Sequence, residues 1–200
     1  MVLRRKKKLA QSDRRGRKMK AFSFEQVAML EALLQQDGSG TAIRDLALLR
    51  VGVDSMLRSS DVVSLTLSDV HQKGSIVSEF AVKQKKTKKM VSCDLSERTR
   101  NALAAWLMLN PAWTGDTRVF AITTRQHQRI VKYWCSLLNL DGELYSTHSL
   151  RRTKPAYLYA QTKNLAAVKE LLGHKSIAAT GEYLGITGED ARALARQYQI

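Results

Sequence analysis

Cysteine is scarce in this chain: 200 residues hold two, Cys93 and Cys135. Neither belongs to a CxxC pair, and a single bridge would be a poor framework for a secreted fold. Both are expected as buried free thiols in a reducing cytosol, which points to a cytoplasmic, nucleoid-associated protein. Long apolar runs are missing too, and none approaches the ~18 residues of a membrane span. The basic N-terminus lacks the apolar segment of a signal peptide. Zinc-ligand spacing, a Walker loop, a GxSxG elbow and paired metal-binding carboxylates are absent. His71 and His127 have no ligand partners at useful spacing. Metal-dependent nuclease chemistry is therefore not expected, and no metal or other cofactor is implied. Acid is also in short supply: 18 Asp and Glu face 33 Lys and Arg, a net charge of +15. That balance fits a polyanionic partner, most simply nucleic acid; a ribosomal or membrane-surface protein would carry it too.

The charge is unevenly spread. Residues 1–20 hold ten Lys and Arg and one Asp, while the other 180 hold 23 and 17 Asp and Glu. The first twenty residues read as a basic flexible arm, disordered in isolation, serving to track DNA or merely to solubilise the chain. Residues 21–200 suffice for one domain with its own core.

Folded structure is predicted from Phe22. Ser23 and Gln26 form a capping-box pair, and Phe22 and Val27 stand where a hydrophobic staple would. Gly38 and Gly40 end that helix. A near-continuously apolar second helix, from about Thr41 to Met56, is expected to be buried. Between Thr66 and Leu95, Ile76, Val77, Phe80, Val82, Met90 and Val91 flank the polar run from Lys83 to Lys89. This predicts a small antiparallel sheet with a lysine-rich hairpin. Ser96 opens a further helix with Leu103, Trp106 and Leu107 on one face, stopped by Asn110-Pro111. Helices follow over 124–138, 148–161, 164–173 and 176–184. Thr187 caps a last one, with Ala191, Leu194, Ala195 and Tyr198 at helical spacing. Pro155 falls inside the helix predicted over 148–161, so that helix either begins late or is kinked. There is no internal repeat, and the fold class is mainly α with one small antiparallel sheet.

Chemistry concentrates near the C-terminus. His148-x-x-Arg151, then Leu171-Leu172-Gly173-His174, then Tyr183 place an arginine, two histidines and a phenol within 36 residues. Arginine braces a phosphate with a planar fork of donors. Histidine exchanges protons near neutral pH. Tyrosine becomes a covalent nucleophile once its proton is removed.

The boxes Thr147-His148-Ser149-Leu150-Arg151-Arg152-Thr153, Leu171-Leu172-Gly173-His174-Lys175-Ser176-Ile177 and Thr180-x-x-Tyr183 resemble those of the tyrosine recombinase (phage integrase) family. They occur in the family's order and spacing, and the resemblance covers roughly residues 20 to 200. It implies the family's catalytic-domain fold, with residues 21–200 as that domain. It implies cutting and rejoining of double-stranded DNA through a 3′-phosphotyrosine intermediate, with Tyr183 as nucleophile. Arg58 and Arg151 would clamp the phosphate, His174 would donate to it, and His148 would assist proton removal from the tyrosine. Asp61, three residues after Arg58, would orient a group of the site. Gln84-Lys85-Lys86-Thr87 resembles the family's hairpin, which makes Lys86 the general acid for the 5′ oxygen. Lys83, Lys85, Lys88 and Lys89 would make ordinary phosphate contacts. Arg152 would point elsewhere, to the DNA backbone or an acid.

The resemblance further implies a monomer in solution that assembles into a tetramer on paired DNA sites, with no membrane partner. The last helix would dock on a neighbouring subunit or pack on its own domain. Met56 stands where the family has a small residue, two places before Arg58. Many members carry an N-terminal helical domain that closes a clamp on DNA. Here about twenty residues, ten of them Lys or Arg, stand in that place, as in the single-domain fimbrial switch invertases of enteric bacteria or in a trimmed chain. The other readings are a non-catalytic DNA-binding protein of the same fold and relaxation of the type IB topoisomerase kind.

Overall fold

The computed structural model describes residues 19–109, 113–189, 192 and 196. Residues 1–18 of the expected arm lie outside them, as do Ala191, Leu194, Ala195 and Tyr198 of the expected last helix.

Helix α1 (Phe24–Asp37) opens on the expected box: Ser23 Oγ accepts from Gln26 N, and Gln26 Oε1 accepts from Ser23 N. Gly38 closes it in the left-handed region, at φ 61°. Gly40 does not help to end α1; it is the first residue of α2 (Gly40–Asp54), because Ser39 caps the amide of Ala42. Ala47, Leu48, Leu49 and Val51 of α2 are fully buried, as its apolarity predicts. This helix stops at Asp54, two residues short of expectation. Met56 adopts φ 52°, a left-handed conformation that ends the helical path.

Two short helices follow, α3 (Ser59–Val62) and α4 (Leu67–Val70). The expected sheet forms as two separate ladders. β1 (His71–Gln72) and β2 (Ser75–Ile76) meet across Lys73 and Gly74, both at positive φ, as a two-residue turn requires. β3 (Glu79–Lys83) and β4 (Met90–Asp94) pair antiparallel, from Glu79 opposite Asp94 to Lys83 opposite Met90. Phe80, Val91 and Cys93 turn inward from this ladder while its charged residues stay outside.

Helices α5 (Glu97–Met108), α6 (Thr124–Leu137), α7 (Thr147–Thr162), α8 (Leu165–Leu172) and α9 (Ile177–Leu184) complete the chain. Each has a capping side chain at its start: Ser96, Thr123, Ser146, Asn164 and Ser176. Helix α7 does not begin late. It starts before His148 and runs through Pro155, which is buried. Hydrogen bonds to the α2 end hold it on that side of the proline, from Arg151 to Met56 O and from Lys154 to Asp54 O.

Most apolar side chains share one core built from α1, α2, α5, α6, α7 and the β3–β4 ladder. Met56, Val168 and Leu172 form a second, smaller cluster, against which Leu158, Tyr159, Tyr183 and Leu184 pack. The α8–α9 pair is therefore seated on its own small core. Both cysteines are free and buried. Among the described residues, no helix is long and apolar enough to cross a membrane.

Candidate active site

Arg58 sits at the N-cap of α3, where extended backbone (φ −70°, ψ 150°) turns its side chain toward the β3–β4 hairpin. Its Nη1 donates to Gln84 Oε1 at 2.6 Å, and Thr87 Oγ1 donates to the same oxygen at 2.7 Å. Gln84 closes the hairpin neck, donating its N–H to Lys89 O and accepting at its carbonyl from Lys88 N. Asp61, on α3, is 1% exposed, and its Oδ1 accepts from Lys85 N at 3.0 Å. The carboxylate thus orients the hairpin by its backbone. Lys86 stands exposed at the tip; Lys83, Lys85, Lys88 and Lys89 are exposed around it.

Helix α7 carries His148 and Arg151 one turn apart. Arg151 is 2% exposed. Its Nη1 donates to Met56 O and its Nη2 to Leu172 O at 2.9 Å, bolting the end of α8 to the turn after α2. A guanidinium has five N–H donors, so three remain for an anion. His148 keeps an exposed edge. Its pKa is lowered by loss of water on the inner side, then by repulsion from Arg151, Arg58, Arg152 and Lys86.

His174 follows Gly173, whose φ of 65° ends α8. The ring nitrogen Nδ1 lies 3.1 Å from Thr180 Oγ1. Burial, then Arg151 and Arg58, push the His174 pKa down. The Tyr183 ring meets the His174 ring edge-on, with centroids 5.2 Å apart. Its Oη is buried with no hydrogen-bond partner among the described residues. Burial raises the phenol's pKa, while Arg151 and Arg152 oppose that rise. Arg152 does not point elsewhere: its Cζ lies 4.5 Å from the centroid of the Tyr183 ring, and its Nη1 donates to Met19 O. The attraction between guanidinium and ring face draws it inward.

Arg58, His148, Arg151, His174 and Tyr183 therefore share one neighbourhood, with Asp61 beside it. Lys86 reaches it through its field at His148. Three further groups stand in the motifs read from the sequence, but their contacts carried no sequence signal. The Gln84 amide, the Thr180 hydroxyl and the Arg152–Tyr183 contact depend on which elements meet. The spacing of Thr180 from Tyr183, three residues along one helix, is the nearest thing to a clue. His127 is buried away from any ligand set, with Nδ1 2.9 Å from Ser59 Oγ. No group of three or more potential metal ligands occurs among the described residues. Several cations gathered around the single buried carboxylate of Asp61 leave the cluster positively charged, and a phosphate would relieve the repulsion that adds to burial in lowering both histidines.

Residues 21–189 match the phage integrase family. The probable integrase/recombinase YoeC of Bacillus subtilis is 28% identical over 154 residues, 75% of this chain and 82% of that protein. The tyrosine recombinase XerC of Neisseria meningitidis is 28% identical over 185 residues. That match takes in 90% of this chain but 58% of the relative, little more than half its length. Among solved structures, the XerH site-specific recombinase in a post-cleavage complex with a palindromic difH substrate superposes with a TM-score of 0.72. It is 19% identical, over 90% of this chain and 53% of that one, a likeness of fold.

Proposed function

Because the chain belongs to the phage integrase family, we propose that it is a site-specific DNA recombinase acting by transesterification. Tyr183 Oη attacks a backbone phosphorus of double-stranded DNA in line with the 5′ oxygen. His148 assists removal of the phenolic proton. Arg58, Arg151 and His174 stabilise the charge that grows on the non-bridging oxygens. Lys86, carried in on the hairpin, protonates the departing 5′ oxygen. The bond to the 5′ oxygen breaks as the bond to Tyr183 forms, leaving a 3′-phosphotyrosyl enzyme and a 5′ hydroxyl. The phosphoester energy is kept in the new linkage, so a partner strand's 5′ hydroxyl can reverse the step without ATP. A tetramer on two paired sites would complete the exchange. Lys83, Lys85, Lys88 and Lys89 supply phosphate contacts beside the cut.

The observation that carries this reading is the contact of Tyr183 with His174 beside Arg151. A buried phenol whose oxygen lies beside the Arg151 and Arg152 guanidiniums is suited to attack an anionic ester. Incubation with nicked duplexes tests it. A band resistant to denaturation with the wild type, absent with Tyr183→Phe, is expected. Binding with no covalent band would favour a non-catalytic DNA-binding role. Covalent cleavage that relaxes a one-site plasmid without joining two sites would favour topoisomerase action.

A further inference from the structure

Thr180 lies on α9 one turn before Tyr183 and is 0% exposed. Its hydroxyl oxygen stands 3.1 Å from His174 Nδ1 and 3.1 Å from Ser176 O. One hydroxyl has one proton to give, so it serves one acceptor at a time. Ser176 O has another donor, the amide of Thr180 at 3.3 Å. His174 Nδ1 has no other partner among the described residues. Two arrangements satisfy these groups: Thr180 Oγ–H to Nδ1, with the ring proton on Nε2, or Thr180 Oγ–H to Ser176 O, with Nδ1–H donating to Thr180 Oγ. Only the first leaves neutral His174 an N–H to offer a phosphate oxygen.

We infer that Thr180 is a positioning residue that fixes the tautomer and plane of His174, so that neutral His174 presents an Nε2–H to the scissile phosphate. The inference rests on the recombinase reading and goes beyond it. A phosphate oxygen needs a donor, and a free imidazole would divide its proton between two nitrogens. If His174 becomes an imidazolium, the Thr180 hydroxyl turns to Ser176 O and accepts from Nδ1–H. The ring therefore donates from Nε2 in either charge state. The groups facing it are Arg151 from α7, Arg58 from the start of α3, and Tyr183 from α9; Lys175 is its neighbour in the chain. Burial, and then the two arginines, disfavour the imidazolium, which makes the neutral donor the form that Thr180 must secure. Since Thr180 and Tyr183 share α9, the donor is also set only when the nucleophile's helix is seated.

The test uses the full chain and nicked duplexes tiling the flanks of its own gene, with covalent complex formation followed from pH 5 to 9. Thr180→Val keeps the shape and removes the hydroxyl; Thr180→Ser keeps the hydroxyl. Thr180→Val is expected to slow cleavage roughly tenfold or more above the His174 titration, with a smaller defect below it. Duplex affinity should stay the same, and Thr180→Ser should follow the wild type. Equal rates for Thr180→Val and wild type across the range would overturn the inference. A second arm needs neither DNA nor a folded variant: ring-nitrogen NMR of the wild type. The Nε2–H form of neutral His174 is expected, and the Nδ1–H form would overturn the inference. Absence of a covalent band with wild type on every duplex would instead sink the recombinase reading, leaving the NMR result to decide the role of Thr180.

Discussion

Gln84 accepts a 2.6 Å hydrogen bond from Arg58, tying the neck of the lysine hairpin to an arginine of the site. The same oxygen holds Thr87, next to Lys86 in the chain. Placement of the phosphate clamp and of the general acid is thus one geometric problem. Gln84→Ala is predicted to slow cleavage about 10- to 100-fold with little loss of duplex affinity, since bonds to a charged partner contribute ~1.5–3 kcal/mol. Single-turnover cleavage beside a binding titration checks it. Equal losses in both would mean that Gln84 serves binding alone.

Arg151 holds two backbone carbonyls besides any phosphate. Lysine cannot bridge both with the geometry of a planar fork. Arg151→Lys is therefore predicted to destabilise the fold by about 2–4 kcal/mol, the cost of leaving buried acceptors unpaired. Half-buried Arg58, replaced by Lys, should cost less. Urea unfolding of the two variants tests the difference, and equal stabilities would contradict the bolt.

Burial pushes the His127 pKa down to about 4 from an ordinary 6.5. Below pH 6.5 the unfolded chain takes up a proton that the folded chain refuses. The stability contribution is full above that pH and is lost as pH falls toward 4, by roughly 3 kcal/mol in all. His127→Gln should flatten the stability profile between pH 6.5 and 4. An unchanged slope would show that His127 is protonated or exposed in the fold.

The outline of the fold was legible because it rests on local signals. Ser23 with Gln26 marks a helix start, Gly173 a stop, and alternation around Phe80 and Val91 a ladder. The boxes at His148, His174 and Tyr183 likewise named residues that lie together. What was not legible depends on contacts between distant segments. The left-handed turn at Met56 shortens α2, and nothing in its apolar pattern signals that. Arg152 turns in over Tyr183 because α9 is there to receive it. Pro155 removes a helix hydrogen bond, yet α7 continues. Arg151 and Lys154 anchor it to the end of α2, at positions some hundred residues away in sequence.

Gly181 has room for a methyl group: a Cβ there would meet Leu165 Cδ2 at 3.7 Å, an ordinary contact. Gly181→Ala should raise stability by up to ~1 kcal/mol through helix propensity. If Tyr183 must leave its buried place to reach the phosphorus, the stiffer helix will slow cleavage while leaving duplex affinity unchanged. Thermal melts and single-turnover rates together decide. A variant both more stable and fully active would remove the need for a yielding α9.

Among the described residues, Tyr183 is the phenol in contact with His174. The most direct measurement is mass spectrometry of the protease-digested covalent complex, formed on nicked duplexes and freed of non-covalent DNA. A nucleotide remnant on the peptide containing Tyr183, joined through a 3′ phosphate, is the predicted result. A remnant on another residue, or a 5′ linkage at Tyr183, would contradict the proposed mechanism.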